Sequence, residues 1–175
     1  LHRRRHSFPT RRSSDLGPLV SKEHLEKVQK MIALAKADSA EVACGDEPLD
    51  LPKEMSKGYF MRPTILKDMS NCSEIHQTEF FGPVVNVIPF KYAHDAIKLA
   101  NTGPHGLSAS LYTNDLTRAH KLAAQLEVGT VWINSWLVRD LRVPFGGMKH
   151  SGLGREGGDE SFHFFTEAKT VCLQL

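Results

Sequence analysis

The sequence predicts an α/β fold built on a parallel sheet, and three observations lead to this prediction. Residues 84–134 alternate apolar, β-rich runs with amphipathic segments. The connections between these runs are short, and the run at 84–90 is nearly continuously apolar, as in a strand buried on both faces. Strands that alternate with helices through short connections form right-handed crossovers, which give parallel sheets.

The first predicted element is a helix from Ser21 to about Ala37. Ser21 is a favourable N-cap, and Glu23 lies in the first turn, where the helix dipole favours an acidic side chain. Apolar residues recur along this segment at helical spacing and predict one buried face. That face consists of Leu25, Val28, Ile32 and Ala35.

The later elements follow in chain order. They are a surface loop at 45–58, a β-rich run at 60–66, a strand at 84–90, a helix at 94–100, a strand at 107–112, a helix capped by Asn114 and ended by Gly129, and a strand at 130–134. Residues 135–160 are rich in glycine and predict a closely packed loop region. The β-rich run Lys169–Leu175 predicts a terminal strand that pairs with another chain or a distant domain, because no partner follows it.

The charge is unevenly distributed. Five of the 22 basic residues and one of the 20 acidic residues lie in 1–16, so the remaining chain carries 17 basic and 19 acidic residues. A basic tail on an acidic body is typical of a nucleic-acid-binding arm. However, HSFPTRRSSDL at 6–16 matches letter for letter the translation of a common sequencing-library adapter. We therefore predict that 1–16 is a non-native, disordered tail and expect no nucleic acid partner.

Several other classes of protein and site are disfavoured. No apolar run approaches the roughly 20 residues of a membrane span. Cys44, Cys72 and Cys172 have no paired spacing, which predicts reduced thiols and a cytoplasmic protein. Cys72 lies in a loop without an activating neighbour, and Cys172 lies in a β-like run where a buried thiol is the default. The histidines form no metal-ligand spacing, so no metal site is predicted.

Gly152–Gly157 formally matches the G-x-G-x-x-G fingerprint of dinucleotide-binding proteins. That fingerprint follows a strand and opens a β-α-β unit. Here the glycines follow PFGGMKHS, and too few residues remain for such a unit. We therefore interpret the match as coincidental.

A set of motifs in fixed order carries more information. They are EFFGP at 79–83, PFGG at 144–147, SGLGRE at 151–156 and EAKT at 167–170. They resemble the C-terminal signatures E-x-F-G-P, P-F-G-G, S-G-x-G-R-E and E-x-K-T of the aldehyde dehydrogenase superfamily. The resemblance runs from Gly17 to Leu175. It implies the parallel-sheet part of a catalytic domain at 17–150, and a C-terminal segment with an oligomerisation strand at 151–175.

The resemblance also implies cofactor contacts. Glu79 would accept hydrogen bonds from the nicotinamide ribose hydroxyls of NAD, with NADP left open. Phe81 would pack beside the nicotinamide, and Leu107 and Phe145 would line the same region. A carboxylate is a good acceptor for a diol, and apolar walls limit water where hydride moves. From the residues alone, Glu79 could equally form a solvated pair with His76 on a helix face.

Loop 135–143, SWLVRDLRV, resembles that of dehydrogenases acting on 2-aminomuconic or 2-hydroxymuconic semialdehyde. These substrates carry a carboxylate, and arginine offers a planar, bidentate clamp for one. We expect Arg139 to be this clamp, with Trp136 beside it, and Arg142 to pair locally. The alternatives are a surface cluster of Arg139, Asp140 and Arg142, worth little energetically, and a simple core position for Trp136.

In the family, the nucleophilic Cys, the Glu base and most of the coenzyme domain precede the first residue matched here. We therefore expect a fragment of an NAD(P)-dependent enzyme that oxidises an aldehyde, with no catalytic residue of its own and no activity alone. We also expect a homo-oligomer formed through Lys169–Leu175, and exposed apolar surface. The alternative is a non-catalytic oligomerisation module derived from the same family.

Overall fold

The computed structural model describes residues 16–45, 47–67 and 75–175, so the predictions for 1–15 and for Cys72 lie outside the described residues. The chain divides after Pro89 into an N-terminal and a C-terminal unit. The described helices are α1 (Lys22–Ala37), α2 (Ala93–Thr102), α3 (Leu116–Ala123) and α4 (Gly158–Phe165), with a 3-10 turn at Lys53–Met55. The described strands are β1 (Glu41–Cys44), β2 (Thr64–Lys67), β3 (Val84–Val87), β4 (His105–Gly106), β5 (Ser108–Leu111), β6 (Thr130–Ile133) and β7 (Met148–Lys149).

Helix α1 confirms the first predicted element. The Oγ atom of Ser21 accepts a hydrogen bond of 3.1 Å from the backbone N–H of His24, which satisfies one of the free donors at the helix start. The buried side chains of the helix are Val28, Met31 and Ala35. Ala35 joins Ala40 and Leu66 of β2 in the core cluster of this unit. Burial of this face therefore fixes α1 to the sheet.

The sheet of the N-terminal unit has the order β1-β2-β3. Strands β2 and β3 are parallel, whereas β1 is antiparallel to β2 and is an element that the sequence did not indicate. The predicted parallel sheet consisted of the runs at 84–90, 107–112 and 130–134; in the structure β3 pairs with β2, and β5 and β6 form a separate parallel pair. The prediction that β3 is buried on both faces is wrong. Val85 and Val87 are 53% and 51% exposed, because alternate side chains of a strand point to opposite faces and only the face of Val84 packs against the core of this unit.

In the C-terminal unit, β5 and β6 are parallel and α3 forms the crossover between them. The predicted cap of α3 is wrong by one residue, because Asp115 accepts from the N–H of Arg118 at 2.9 Å. The helix also ends at Ala123, before the predicted Gly129. The side chain of Asn101 accounts for this early end: it binds the carbonyl of Gln125 and the N–H of Glu127, and so replaces helical hydrogen bonds.

The end of the chain pairs with no described segment, so its predicted pairing with another chain or a distant domain stays a prediction. Residues 169–175 form no strand in the described part of the chain, because a strand requires a hydrogen-bonded neighbour and no described segment pairs with them. Cys172 is exposed, so its predicted burial is also wrong. The expected apolar surface is present: Phe162 and Phe165 of α4 are 73% and 77% exposed. None of the described helices has the length and apolarity of a membrane-spanning segment.

Candidate functional site

Glu79 and Phe81 lie together on the loop that leads into β3. Both line one cavity of about 350 Å³ in the N-terminal unit, whose walls also include Leu66, His76 and Asn86. The carboxylate of Glu79 is exposed and so remains available as an acceptor. The structure therefore brings these two predicted cofactor residues to one cavity.

The predicted helix face shared by His76 and Glu79 is absent, because residues 75–77 form a turn. Instead, the Nδ2 atom of Asn86 on β3 donates to Nδ1 of His76 at 2.9 Å. The side chain of His76 is thereby tied to the sheet, and the Glu79 carboxylate stands free of that predicted pair.

Phe81 has an unusual backbone, and α1 holds it in place. Its φ angle is 54°, in the left-handed region that non-glycine residues rarely occupy. The carbonyl of Phe81 accepts a hydrogen bond of 2.8 Å from Nε2 of His24, and the two rings meet edge to face at 6.1 Å. His24 was not singled out in the sequence, because a histidine in the first turn of a helix has no local signal that connects it to a loop 57 residues away.

Leu107 and Phe145 line a second cavity, of about 370 Å³, in the C-terminal unit. The glycine-rich motifs build its wall. The Oγ atom of Ser151 accepts from the N–H of Gly106 at 2.8 Å, and Nη1 of Arg155 donates to the carbonyl of Gly147 at 2.9 Å. The S-G-x-G-R-E motif therefore holds the P-F-G-G loop against the sheet.

Close backbone packing explains the glycine at the start of β6. A Cβ atom on Gly129 would lie 1.6 Å from the carbonyl oxygen of Gly146, far inside van der Waals contact. The backbone that precedes Gly147 thus lies directly on the turn before β6. The predicted close packing of the glycine-rich region is confirmed.

Arg139 does not itself line the second cavity, but it contacts Phe145 and Glu156, which do. Its Nη2 atom forms an ion pair of 2.5 Å with Oε1 of Glu156, and its Cζ atom lies 4.1 Å from the centroid of the Phe145 ring. Glu156 is in turn paired with Phe145 through backbone hydrogen bonds of 2.7 and 2.8 Å. Arg139, Phe145 and Glu156 thus form one group of contacting residues. Glu156 belongs to the S-G-x-G-R-E motif, but the motif alone does not indicate a role for it.

Arg142 is engaged elsewhere. Its Nε and Nη2 atoms donate to both carboxylate oxygens of Asp140, at 2.6–3.1 Å. This hydrogen bonding lowers the pKa of Asp140 and raises the pKa of Arg142. The local pairing expected of Arg142 is confirmed, and a three-residue surface cluster is not formed because Arg139 pairs with Glu156 instead.

Trp136 is not a core residue, since it is 66% exposed. The buried tryptophan of this unit is Trp132 on β6, whose Nε1 atom donates to the carbonyl of Val138 at 2.8 Å. This bond fixes the loop backbone directly before Arg139. Trp136 does not line the cavity of Leu107 and Phe145, so its place beside a substrate stays a prediction.

The remaining candidates give no separate site. Gly152–Gly157 follows β7, which is antiparallel to β4, so the fingerprint context is absent as expected. Cys44 and Cys172 are free and exposed. Within residues 16–45, 47–67 and 75–175, no group of three or more His, Cys, Asp or Glu side chains is arranged to hold a metal ion.

Comparison with known proteins identifies the family. The model of the aldehyde dehydrogenase family matches residues 3–171. A 2-aminomuconic semialdehyde dehydrogenase from Danio rerio is 50% identical over 168 residues, which cover 95% of this chain and 34% of that protein. A 2-hydroxymuconic semialdehyde dehydrogenase from Pseudomonas sp. (strain CF600) is 42% identical, covering 93% of this chain and 33% of that protein.

A solved structure agrees. The NAD+ complex of an aldehyde dehydrogenase from Bacillus cereus matches with a TM-score of 0.82 and 40% identity, over 90% of this chain and 31% of that one. The chain therefore spans about a third of the length of the curated relatives it matches. The family model matches nearly the whole length of this chain, and the four motifs lie in the expected order. The chain therefore belongs to the aldehyde dehydrogenase family.

Proposed function

We propose that this chain forms the C-terminal part of an NAD-dependent enzyme that oxidises a carboxylate-bearing semialdehyde to the corresponding acid. The observation that carries this proposal is the guanidinium of Arg139, held on the ring of Phe145, which is a residue of the second cavity's lining. A planar cation at this place suits a substrate that carries a carboxylate at the end remote from its aldehyde. The names of the two semialdehyde dehydrogenase relatives support the same substrate class.

The contacts of the two arginines favour Arg139 over Arg142 as the clamp. Asp140 binds one edge of the Arg142 guanidinium, through Nε and Nη2, with both of its carboxylate oxygens, and the Arg142 side chain is 88% exposed. Arg139 donates one hydrogen bond, through Nη2, among the described residues, and its side chain is 39% exposed. Arg139 therefore retains donors for a second carboxylate in a partly desolvated place, where charge-assisted hydrogen bonds are stronger.

The chain would supply binding contacts, and the nucleophile would come from another part of the protein. In the mechanism of the family, a Cys attacks the aldehyde, hydride leaves for NAD, and water releases the acid. Neither Cys44 nor Cys172 lines the two cavities that hold the predicted cofactor residues. We therefore infer that this chain is inactive by itself.

The first experiment measures NADH formation by the full-length protein that contains this chain. A semialdehyde with a remote carboxylate and a neutral aldehyde of the same length are compared. We expect kcat/KM to be higher for the carboxylate-bearing substrate. Equal values for the two substrates would contradict the proposed substrate class, and no NADH from either would contradict the activity itself.

The proposed cofactor contact is tested at Glu79. Glu79→Gln removes the charge of the acceptor but keeps its shape, so we expect the KM for NAD to rise about tenfold, since a hydrogen bond to a charged group is worth roughly 1.5–3 kcal/mol. NADP is tested in parallel with both proteins. Glu26→Gln is the matched control, because Glu26 is an exposed carboxylate on α1 that pairs with the exposed Lys22. An unchanged KM for NAD in Glu79→Gln would exclude this contact.

We also propose that residues 169–175 pair with a second copy of the protein. Val171, Leu173 and Leu175 alternate along the segment and are 78%, 81% and 111% exposed, so they would share one apolar face once the segment paired as a strand. Replacing Val171 and Leu173 with Asp is expected to lower the molar mass measured by light scattering. Replacing Thr170 and Cys172 with Asp, on the other face, is the control, and the same mass for all proteins would exclude this interface.

We infer a reducing compartment, such as the cytoplasm, for this protein. Cys44 and Cys172 are free thiols that reach solvent. Exposed free thiols are unusual in proteins of oxidising compartments, where disulfides form.

A further inference from the structure

We propose that Glu156 is a positioning residue that sets the selectivity of the enzyme for carboxylate-bearing substrates. It would do so in two ways, by holding the guanidinium of Arg139 in place and by competing with the substrate for that guanidinium. This inference rests on the proposed function, in which Arg139 is the substrate clamp.

The geometry gives Glu156 a fixed position relative to the Phe145 ring. Two backbone hydrogen bonds, from N–H of Phe145 to the Glu156 carbonyl and from N–H of Glu156 to the Phe145 carbonyl, pair the two residues at 2.7 and 2.8 Å. The carboxylate of Glu156 then reaches Nη2 of Arg139 at 2.5 Å, while the ring supports the face of the guanidinium at 4.1 Å. Arg139 is thus held along one edge and on one face.

The positioning matters because Arg139 comes from a segment without regular structure. Residues 135–140 contain no helix or strand that could fix the long side chain. Arginine has many rotamers, and ordering it costs entropy that a substrate would otherwise have to supply. The contacts with Glu156 and Phe145 order it before the substrate binds.

The same contact also reduces the charge available to a substrate. Glu156 and Arg139 together are neutral, and the neighbouring pair of Asp140 and Arg142 is neutral as well. Arg155, which lines the cavity, donates to the backbone carbonyls of Gly147 and Gly154. An incoming carboxylate must therefore either share the guanidinium of Arg139 with Glu156 or displace the Glu156 carboxylate from it.

The decisive variant is Glu156→Gln, assayed in the full-length enzyme. The amide oxygen still accepts from Nη2 of Arg139, but the competing charge is gone. We expect the kcat/KM ratio of the carboxylate-bearing semialdehyde to the neutral aldehyde to rise about twofold to fivefold, the range expected for a partly exposed ion pair. The gain should shrink as ionic strength rises, because it is electrostatic. Because the two substrates are compared as a ratio of kcat/KM values, an effect of the substitution on the chemical step that both substrates share cancels.

Three further variants test whether the change in the ratio comes from the charge of Glu156 acting on Arg139. Glu160→Gln removes an exposed carboxylate on α4 and should leave the ratio at the wild-type value. Glu156→Ala removes both the charge and the acceptor, so its ratio should be lower than that of Glu156→Gln. In the Arg139→Ala background, Glu156→Gln should have no effect on the ratio, because the partner is missing.

The outcomes separate this inference from the proposed function. If Arg139→Ala lowers the ratio but Glu156→Gln leaves it unchanged or lowers it, the role of Glu156 is overturned and the clamp stands. The role is also overturned if Glu156→Gln raises the ratio equally in the Arg139→Ala background. If Arg139→Ala does not lower the ratio, the clamp itself is wrong, and the role of Glu156 falls with it.

Discussion

Replacing Arg139 with Ala should lower the preference of the full-length enzyme for a carboxylate-bearing semialdehyde over a neutral aldehyde by about tenfold to a hundredfold. This range corresponds to roughly 1.5–3 kcal/mol for hydrogen bonds between charged groups. The loss should appear mainly in kcat/KM of the charged substrate, because the neutral aldehyde has no group for the clamp to bind. The kcat/KM values of both substrates are measured at the same ionic strength.

Two other variants test whether the loss of substrate preference is caused by the guanidinium of Arg139 itself. Arg142→Ala removes the same charge from the same loop, but its guanidinium is bound bidentately by Asp140 and is largely exposed, so its effect should be small. Arg139→Lys keeps the charge and loses the planar fork, and should retain only part of the preference. An equal effect of Arg139→Ala and Arg142→Ala would mean that the loop acts through its overall charge and that no specific clamp exists.

Gly129→Ala is the substitution expected to affect stability most. The added Cβ would lie 1.6 Å from the carbonyl oxygen of Gly146, and neither atom belongs to a side chain that could rotate away. The backbone must therefore shift, and we expect a loss of about 3 kcal/mol, near the upper end for overpacking. Thermal unfolding of the full-length protein measures this loss as a lower midpoint.

The shift should also reach the site, because Gly146 follows Phe145, on whose ring Arg139 lies. We expect a weaker preference for the carboxylate-bearing substrate together with the lower midpoint. Gly103→Ala is the control: φ of Gly103 is −75°, and its added Cβ would meet nothing within 4 Å, so its effect should stay within about 0.5 kcal/mol. A midpoint of Gly129→Ala equal to that of Gly103→Ala would show that the packing of this turn is looser than described.

The sequence predicted features that depend on local signals. Ser21 marks the start of α1 because a capping hydroxyl acts on the backbone three residues away. The glycine-rich region was recognised as closely packed from its composition, and the order of the four motifs identified the family. Arg139 and Phe145 were both selected as site residues, although their direct contact was not foreseen.

Features that depend on contacts between distant residues escaped prediction. Strand β1 is short and lies at the edge of its sheet, and its residues carry little apolar pattern. The exposure of β3 depends on whether a further layer covers it, which the apolar run alone does not encode. Glu156 meets Arg139 across 17 residues, and only the backbone pairing with Phe145 brings the two charges together.

The left-handed backbone of Phe81 has a consequence for how this loop would meet a ligand. Such a conformation costs roughly 1–2 kcal/mol in a residue with a side chain, and the hydrogen bond from His24 offsets part of that cost during folding. The ring is nevertheless 74% exposed, so its surface is left open while its backbone is already immobilised. A planar ligand that stacks on this ring would lose little conformational freedom of the protein on binding. Its affinity would then depend mainly on the water that it displaces from the ring.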